Sequence, residues 1–357
     1  MTENNKVSEA DAIAAQAQLH HQYFLGLQLM VAVEESRDTV FDWMFRLFRR
    51  QHEEKFLSSF SKLGLDGLPP AIACAKYHVL SNGVGGVSVE YMEESDTKAW
   101  VRFRYPRWMY AGPAICGIPM EAGRGFLHGW YAQNGVSLNN PRLGFVCVSE
   151  DVTGQFGLCG FFAEYDYDLA PDQRLRFMPD EPVPNFDSSA QPSPPDSQWS
   201  AERLAKANRN YAVDYVRNGL ASLVQVLGRQ RAEELGKRAA LLTGLQHYRV
   251  MAERVGGVDG EVMDAAQFLQ AMMLGMGDEV VLNAQTDGSV LCRQTGLRVV
   301  RGLNGATRES VLTCWIELWR GAIHSHRLFM DAQGEATAEG ILNWIIRRQE
   351  PSKRSAT

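Results

Sequence analysis

The sequence predicts an α+β protein made of two similar domains from an internal duplication, each with long helices packed on an antiparallel sheet. Three observations predict it. Helical stretches and alternating strands recur in the same order on both sides of a central segment, that segment is rich in proline, and residues of like type recur across it at a nearly constant offset. Runs of strands flanked by helices, without strict β–α alternation, argue for antiparallel sheets.

The chain opens on MTENNKVSEADAIAAQAQ, polar and acidic where a signal peptide would be basic and then apolar, and no apolar run reaches the length of a membrane span. The expected setting is therefore cytoplasmic, with no membrane partner. A long helical region, QYFLGLQLMVAVEESRDTVFDWMFRLFRRQHEEKFLSSFSKLGL, comes first. A shorter segment ends in SNGVGG, which leads into a strand and so reads as a turn, not a phosphate loop. VSVEYMEE and KAWVRFRYPRW alternate as a hairpin would, a helix is expected around 126–135, and RLGFVCVSE and GLCGFFAEYDYD read as paired strands. Together these form an N-terminal domain over residues 1–169.

Half of the fourteen prolines fall between positions 171 and 195, where they deny the backbone both helix and ladder bonding. Residues 170–199 are expected to be a linker. Helical periodicity resumes at Ser200 in SAERL, a serine cap without the glutamate of a full capping box. A C-terminal domain over 200–350 then repeats the order: a long helical region, the shorter helix DAAQFLQAMMLGMG, a hairpin turning at TDGS, the helix RESVLTCWIELWRGAIHSH, and two strands ending in GILNWIIRR. Tyr23 pairs with Tyr211, Trp130 with Trp319 and Gly160 with Gly340, at offsets of 188, 189 and 180 by subtraction.

The C-terminal half, through LGRQRAEELGKRAALLTGLQ, CWIELWRGAIHSH and GILNWIIRR, resembles the superfamily that holds the 4-vinyl reductase domain and the L-2-amino-thiazoline-4-carboxylate hydrolases. The resemblance implies an α+β fold, a homodimer, and a small or lipidic ligand in an apolar pocket, or hydrolytic opening of a small ring. The cysteine pair often seen in the reductase-like domains is missing, so their metal or redox roles are not expected to carry over.

A formal charge of −6 gives no general attraction to nucleic acid. Six cysteines are scattered without a C-x-x-C pair, which fits reduced, mostly buried thiols and neither a disulfide framework nor a zinc site. No cofactor or metal is called for. G-x-S-x-G, H-E-x-x-H and the phosphate-loop glycine–lysine motif are all absent.

Candidate chemistry falls in two places. On the N-terminal side, Glu164, Asp166 and Asp168 alternate along one strand face, about 7 Å apart, close enough for an acid and a base to flank a substrate; a solvated edge strand explains the same pattern. Glu121, Arg124 and His128 share one face of a helix that Pro119 would start. Arg124 suits a carboxylate and His128 a proton transfer near neutral pH, and a surface ion pair beside a satisfied histidine fits equally. Trp130 would wall the pocket, and Arg104 or Arg107 in RFRYPRWMY would clamp an anion. Cys116, ahead of that helix, reads as a nucleophile or, more plainly, as a buried thiol.

On the C-terminal side, Glu317, Arg320 and His324 repeat the spacing of Glu121, Arg124 and His128. Trp315 and Trp319 read as core or pocket wall, and the H-x-H of His324 and His326 lacks a third metal ligand at matching spacing. The first functional reading is a hydrolase attacking a C–N or related bond of a small anionic substrate, cyclic substrates included. In it, His128 shares proton transfers with Glu164 or Asp166, while Arg107, Arg124, Trp130, Glu317, Trp319 and His324 bind substrate. The second is a noncatalytic small-molecule or lipid-binding module with a pocket between the two copies.

Overall fold

The computed structural model describes residues 7–105, 107–155, 157–195, 199–257, 260–327 and 330–349. Parts of the expected segments at 1–6, at Pro106, at 196–198, at 328–329 and at residue 350 lie outside the described residues.

The fold is α+β. In chain order it runs α1 (Glu9–Glu34), α2 (Arg37–Phe60), α3 (Pro70–Val84), β1 (Val89–Ser95), β2 (Lys98–Phe103), α4 (Met120–Gly129), α5 (Asn134–Ser137), β3 (Leu143–Ser149), β4 (Cys159–Glu164) and β5 (Leu175–Phe177). It continues α6 (Ala201–Leu227), α7 (Arg229–Val255), α8 (Val262–Met276), β6 (Glu279–Ala284), β7 (Val290–Thr295), α9 (Gly305–His326), β8 (Met330–Ala336) and β9 (Leu342–Arg348). Two sheets result, ordered β1-β2-β4-β3-β5 and β6-β7-β9-β8, antiparallel except for the parallel pairing of β5 on β3. Ignoring α5 and β5, both halves run α-α-α-β-β-α-β-β with the same strand order.

The chain divides into two compact units, residues 31–207 and residues 1–30 together with 208–357. These boundaries differ from the expected 1–169, 170–199 and 200–350. The reason lies in α1, whose early part carries a close-packed apolar face. Tyr23, fully buried, donates to the Gly236 carbonyl of α7 at 2.9 Å, and a side chain at Gly275 of α8 would strike the Ala12 carbonyl. Those contacts tie residues 12–30 to the unit that follows Asn208.

Residues 170–195 are not a free linker. Leu175, Arg176 and Phe177 pair with Phe145, Val146 and Cys147, and Lys98 bonds Glu181 at 2.7 Å. Phe162 stacks on His78 of α3, so by strand alternation Phe161 and Ala163 face the opposite side. There they join Met92, Trp100, Val146, Val148 and Cys159 in a cluster packed against Tyr165 and Val183.

Local chemistry explains the element ends. Ser200 Oγ accepts the Arg203 N–H at 3.2 Å, so the serine cap forms as expected. In the β6–β7 hairpin Asp287 Oδ1 takes the Ser289 N–H and hydroxyl while Gly288 holds φ 82°, the left-handed geometry such a turn requires. Helices α2 and α4 approach so closely that a side chain at Gly129 would strike the Phe45 carbonyl; Gly321 of α9 does the same against Leu241 of α7.

Candidate functional site

In the 31–207 unit, α4 starts one residue after Pro119 and carries the predicted face. Arg124 does not point a free fork at solvent: its Nε and Nη2 donate to both carboxylate oxygens of Glu150, at 3.0 and 2.9 Å, and its guanidinium lies 4.9 Å from the Phe177 ring. Glu121 is 3.8 Å from Arg37. His128 packs edge-on to Phe41 at 5.5 Å, and its imidazole has no hydrogen bond among the described residues. Burial, and then the charge of Arg124, lower its pKa. Trp130 is core, within 6.4 Å of Phe48, His52 and Tyr77.

Arg107, expected to clamp an anion, is 3% exposed and donates to Asp151 at 2.5 Å, with its guanidinium over Phe103 and Tyr110. Burial pushes the Asp151 carboxyl up against the opposing pull of Arg107. A substrate carboxylate would have to displace a buried internal one, which the desolvated pair resists.

The acidic strand is shorter than its alternation implied. β4 stops at Glu164; Asp166 and Asp168 lie beyond it, exposed. Glu164 accepts from Arg142 at 3.2 Å. His128 lies on α4, Glu164 at the end of β4 and Asp166 in the bend after it, and no hydrogen bond or ion pair among the described residues joins the three. Cys116 is exposed, contrary to the plainer expectation of a buried thiol, and the other five cysteines are buried.

In the other unit the same helical spacing meets a different acid. Asp331 of β8, 1% exposed, accepts from Arg320 Nε at 3.1 Å and from His324 Nε2 at 2.8 Å through Oδ1, and from Gln333 and Gln349 through Oδ2. Burial raises this carboxyl, but the bonds from His324 and Arg320 outweigh it and hold it below its ordinary range. Glu317 stands 3.5 Å from Arg320 and lines an open cleft of about 760 Å³ with Arg229, Glu233, Glu234, Lys237 and Arg238. Trp319 is fully buried against His20 and Trp315, so it is core. His326 bonds Tyr248 through Nδ1. No group of three or more His, Cys, Asp or Glu able to hold a metal occurs among the described residues, and no described helix is long and apolar enough to cross a membrane.

Two further arrangements went unread in the sequence. His52 and His78 are buried in the aromatic core, with Nε2 of each bonded to Ser137 and Asn134, at 2.8 and 2.9 Å. Desolvation holds His52 neutral, with its pKa lowered to about 3. The second is a groove of about 760 Å³ in the same unit, between α3, β1 and residues 186–194. Val79, Leu80, Val84, Val89, Phe186 and Pro192 supply apolar walls, and the charged side chains lining it are Glu90 and Arg104. Glu90 accepts from Arg104 at 2.9 Å and has Arg102 at 3.7 Å, while the Arg104 side chain remains 51% exposed. Alternating VSVEYM and RFR marked the strands, but nothing in the proline-rich run showed that it would return to β1.

No protein-family model matches this chain, and no curated protein matches it at a significant level.

Proposed function

We propose that the 31–207 unit binds a small molecule with an apolar body and a carboxylate, without turning it over. The groove between α3, β1 and residues 186–194 carries this reading: its volume lies within the ligand-pocket range of roughly 300–1,000 Å³, its walls are apolar, and one half-exposed guanidinium stands among them. Arg104 donates to Glu90 at 2.9 Å yet keeps half of its side chain exposed, so its guanidinium can also meet an anion at the polar end. The resemblance to a superfamily with small or lipidic ligands in apolar pockets supports the same reading. A hydrolytic site built on His128, Glu164 and Asp166 has no such support, because Arg142 engages Glu164 and Asp166 is solvated.

Calorimetric titration with straight-chain carboxylates from hexanoate to tetradecanoate tests the proposal. About 0.8 kcal/mol per buried methylene should strengthen binding roughly fourfold for each added carbon until the groove is full. Arg104→Ala should weaken every member about tenfold or more, as loss of a charge-assisted bond does, and Leu80→Trp should abolish binding of the longer chains. Absence of binding, or binding indifferent to both substitutions, would sink the proposal.

The shared element and strand order of the two halves of the chain supports, as part of this reading, an origin by internal duplication. Superposing β1–β4 on β6–β9 tests it: a fit that also lays α2, α3 and α4 on α7, α8 and α9 sustains duplication, and a permuted or reversed fit removes it.

A further inference from the structure

β1 is an edge strand, and its free edge is met in an unusual way. The Gln191 side chain accepts the Tyr91 N–H through Oε1 at 2.9 Å and donates from Nε2 to the Tyr91 carbonyl at 2.8 Å. One side-chain amide thus takes the place that a neighbouring strand's main chain would occupy. Its second N–H donates to the Asp187 carbonyl at 2.8 Å, so the amide also braces the turn that Asp187 makes with Ser189. Pro182, Pro184, Pro192 and Pro194 have no N–H to offer an edge. Among the described residues, the bonds of Gln191 are the hydrogen bonds joining 183–194 to β1.

We infer that Gln191 is a positioning residue for the proposed groove: by clamping residues 186–194 to Tyr91 it fixes how far Phe186, Pro192 and Pro194 stand from α3, and so sets the size of apolar body the groove accepts. This inference rests on the groove reading above. The walls on α3 and β1 belong to regular elements held by their own ladders and helical bonds, whereas the third wall has one 3-10 turn, Ser188–Ala190, and no ladder. Its spacing from β1 therefore follows from the clamp.

The test uses the full chain and the same carboxylate series. Gln191→Glu keeps the acceptor, loses the donor and turns a negative oxygen on the Tyr91 carbonyl; Gln191→Met keeps the length and apolar stem and loses both bonds, a gentler change for folding. Both variants should weaken decanoate binding about tenfold and flatten or lengthen the chain-length optimum, while protease cleavage within 186–194 quickens. A merely structural role would lower thermal stability and leave the optimum where it was. An unchanged optimum in a variant whose 186–194 segment is cleaved faster overturns the clamp and leaves the groove standing. Failure of the unmodified protein to bind any member overturns the groove and the clamp with it.

Discussion

In the 31–207 unit, the proline-rich segment runs from β5 at one edge of the sheet to the free edge of β1 at the other, and its Val183 packs on the cluster around Trp100 and Phe161, on the face that points away from α3. The sheet of the other unit has the same strand order and turns Trp344 toward Trp315 of α9, yet its opposite face leaves Val281 57% and Ile345 43% exposed. The contrast extends to the paired helical motifs. Arg124 and His128 part company, the first bound to Glu150 and the second set against Phe41, whereas Arg320 and His324 converge on Asp331. One helical spacing thus supports two electrostatic outcomes, because the acid that meets it comes from outside the helix.

The comparison can be pressed hardest at the buried acids. Asp151→Ala removes the carboxylate facing a 3%-exposed Arg107 and should cost about 3–5 kcal/mol. Asp331→Ala should cost less, about 1–2 kcal/mol, because Arg320 and His324 side chains, 42% and 32% exposed, can recover water. Urea unfolding followed by unit-resolved hydrogen exchange gives both values; equal costs would break the distinction between a sealed pair and a half-open one.

Acid should treat the two units alike. Desolvation lowers His20 to about 4, and desolvation followed by the neighbouring His20 charge lowers His21 to about 3; in the other unit desolvation lowers His52 to about 3 and His78 well below its ordinary value. The unfolded chain binds protons on these rings near pH 6.5 and the folded chain does not, so stability is full above pH 6.5 and declines as pH falls toward 4. Each such histidine contributes up to about 1.4 kcal/mol per pH unit over that window. Urea midpoints that stay level from pH 7 to 4.5 would show that these rings do not remain neutral and buried.

The smallest effect tests the covered and bare sheet faces. Val183→Asp should cost about 1–2 kcal/mol by putting a charge against an apolar cluster, while Ile345→Asp, on the exposed face, should stay within about 0.5 kcal/mol. Comparable losses at both positions would mean that something also covers the second face.

Much of the fold was legible in advance because it rests on short-range rules. Alternation located β1, β2, β3 and β4, the TDGS turn located the β6–β7 hairpin, and Ser200 marked the start of α6. Alternation misled at the end of β4, where Glu164, Asp166 and Asp168 continue the pattern after the ladder has stopped. A period of two records side-chain types, and strand pairing needs a partner that those types do not specify. Arg107, Arg124 and Trp130 were singled out by type and spacing; their roles turned on Asp151, Glu150 and the aromatic core around His52 and His78.

The sequence by itself determined the helical regions, the hairpins, the Ser200 cap and the mostly buried, unbridged cysteines, since each follows from interactions within a few residues or from bulk composition. Only the tertiary structure decided that residues 12–30 pack with the later unit, that the proline-rich segment becomes a third wall, and that Gln191 stands in for a strand at Tyr91. The physical reason is common to all three. A buried polar group or apolar face must find a partner, but which partner it finds, 100 residues away for Gln191 and 213 for Tyr23, is settled by packing and not by local pattern.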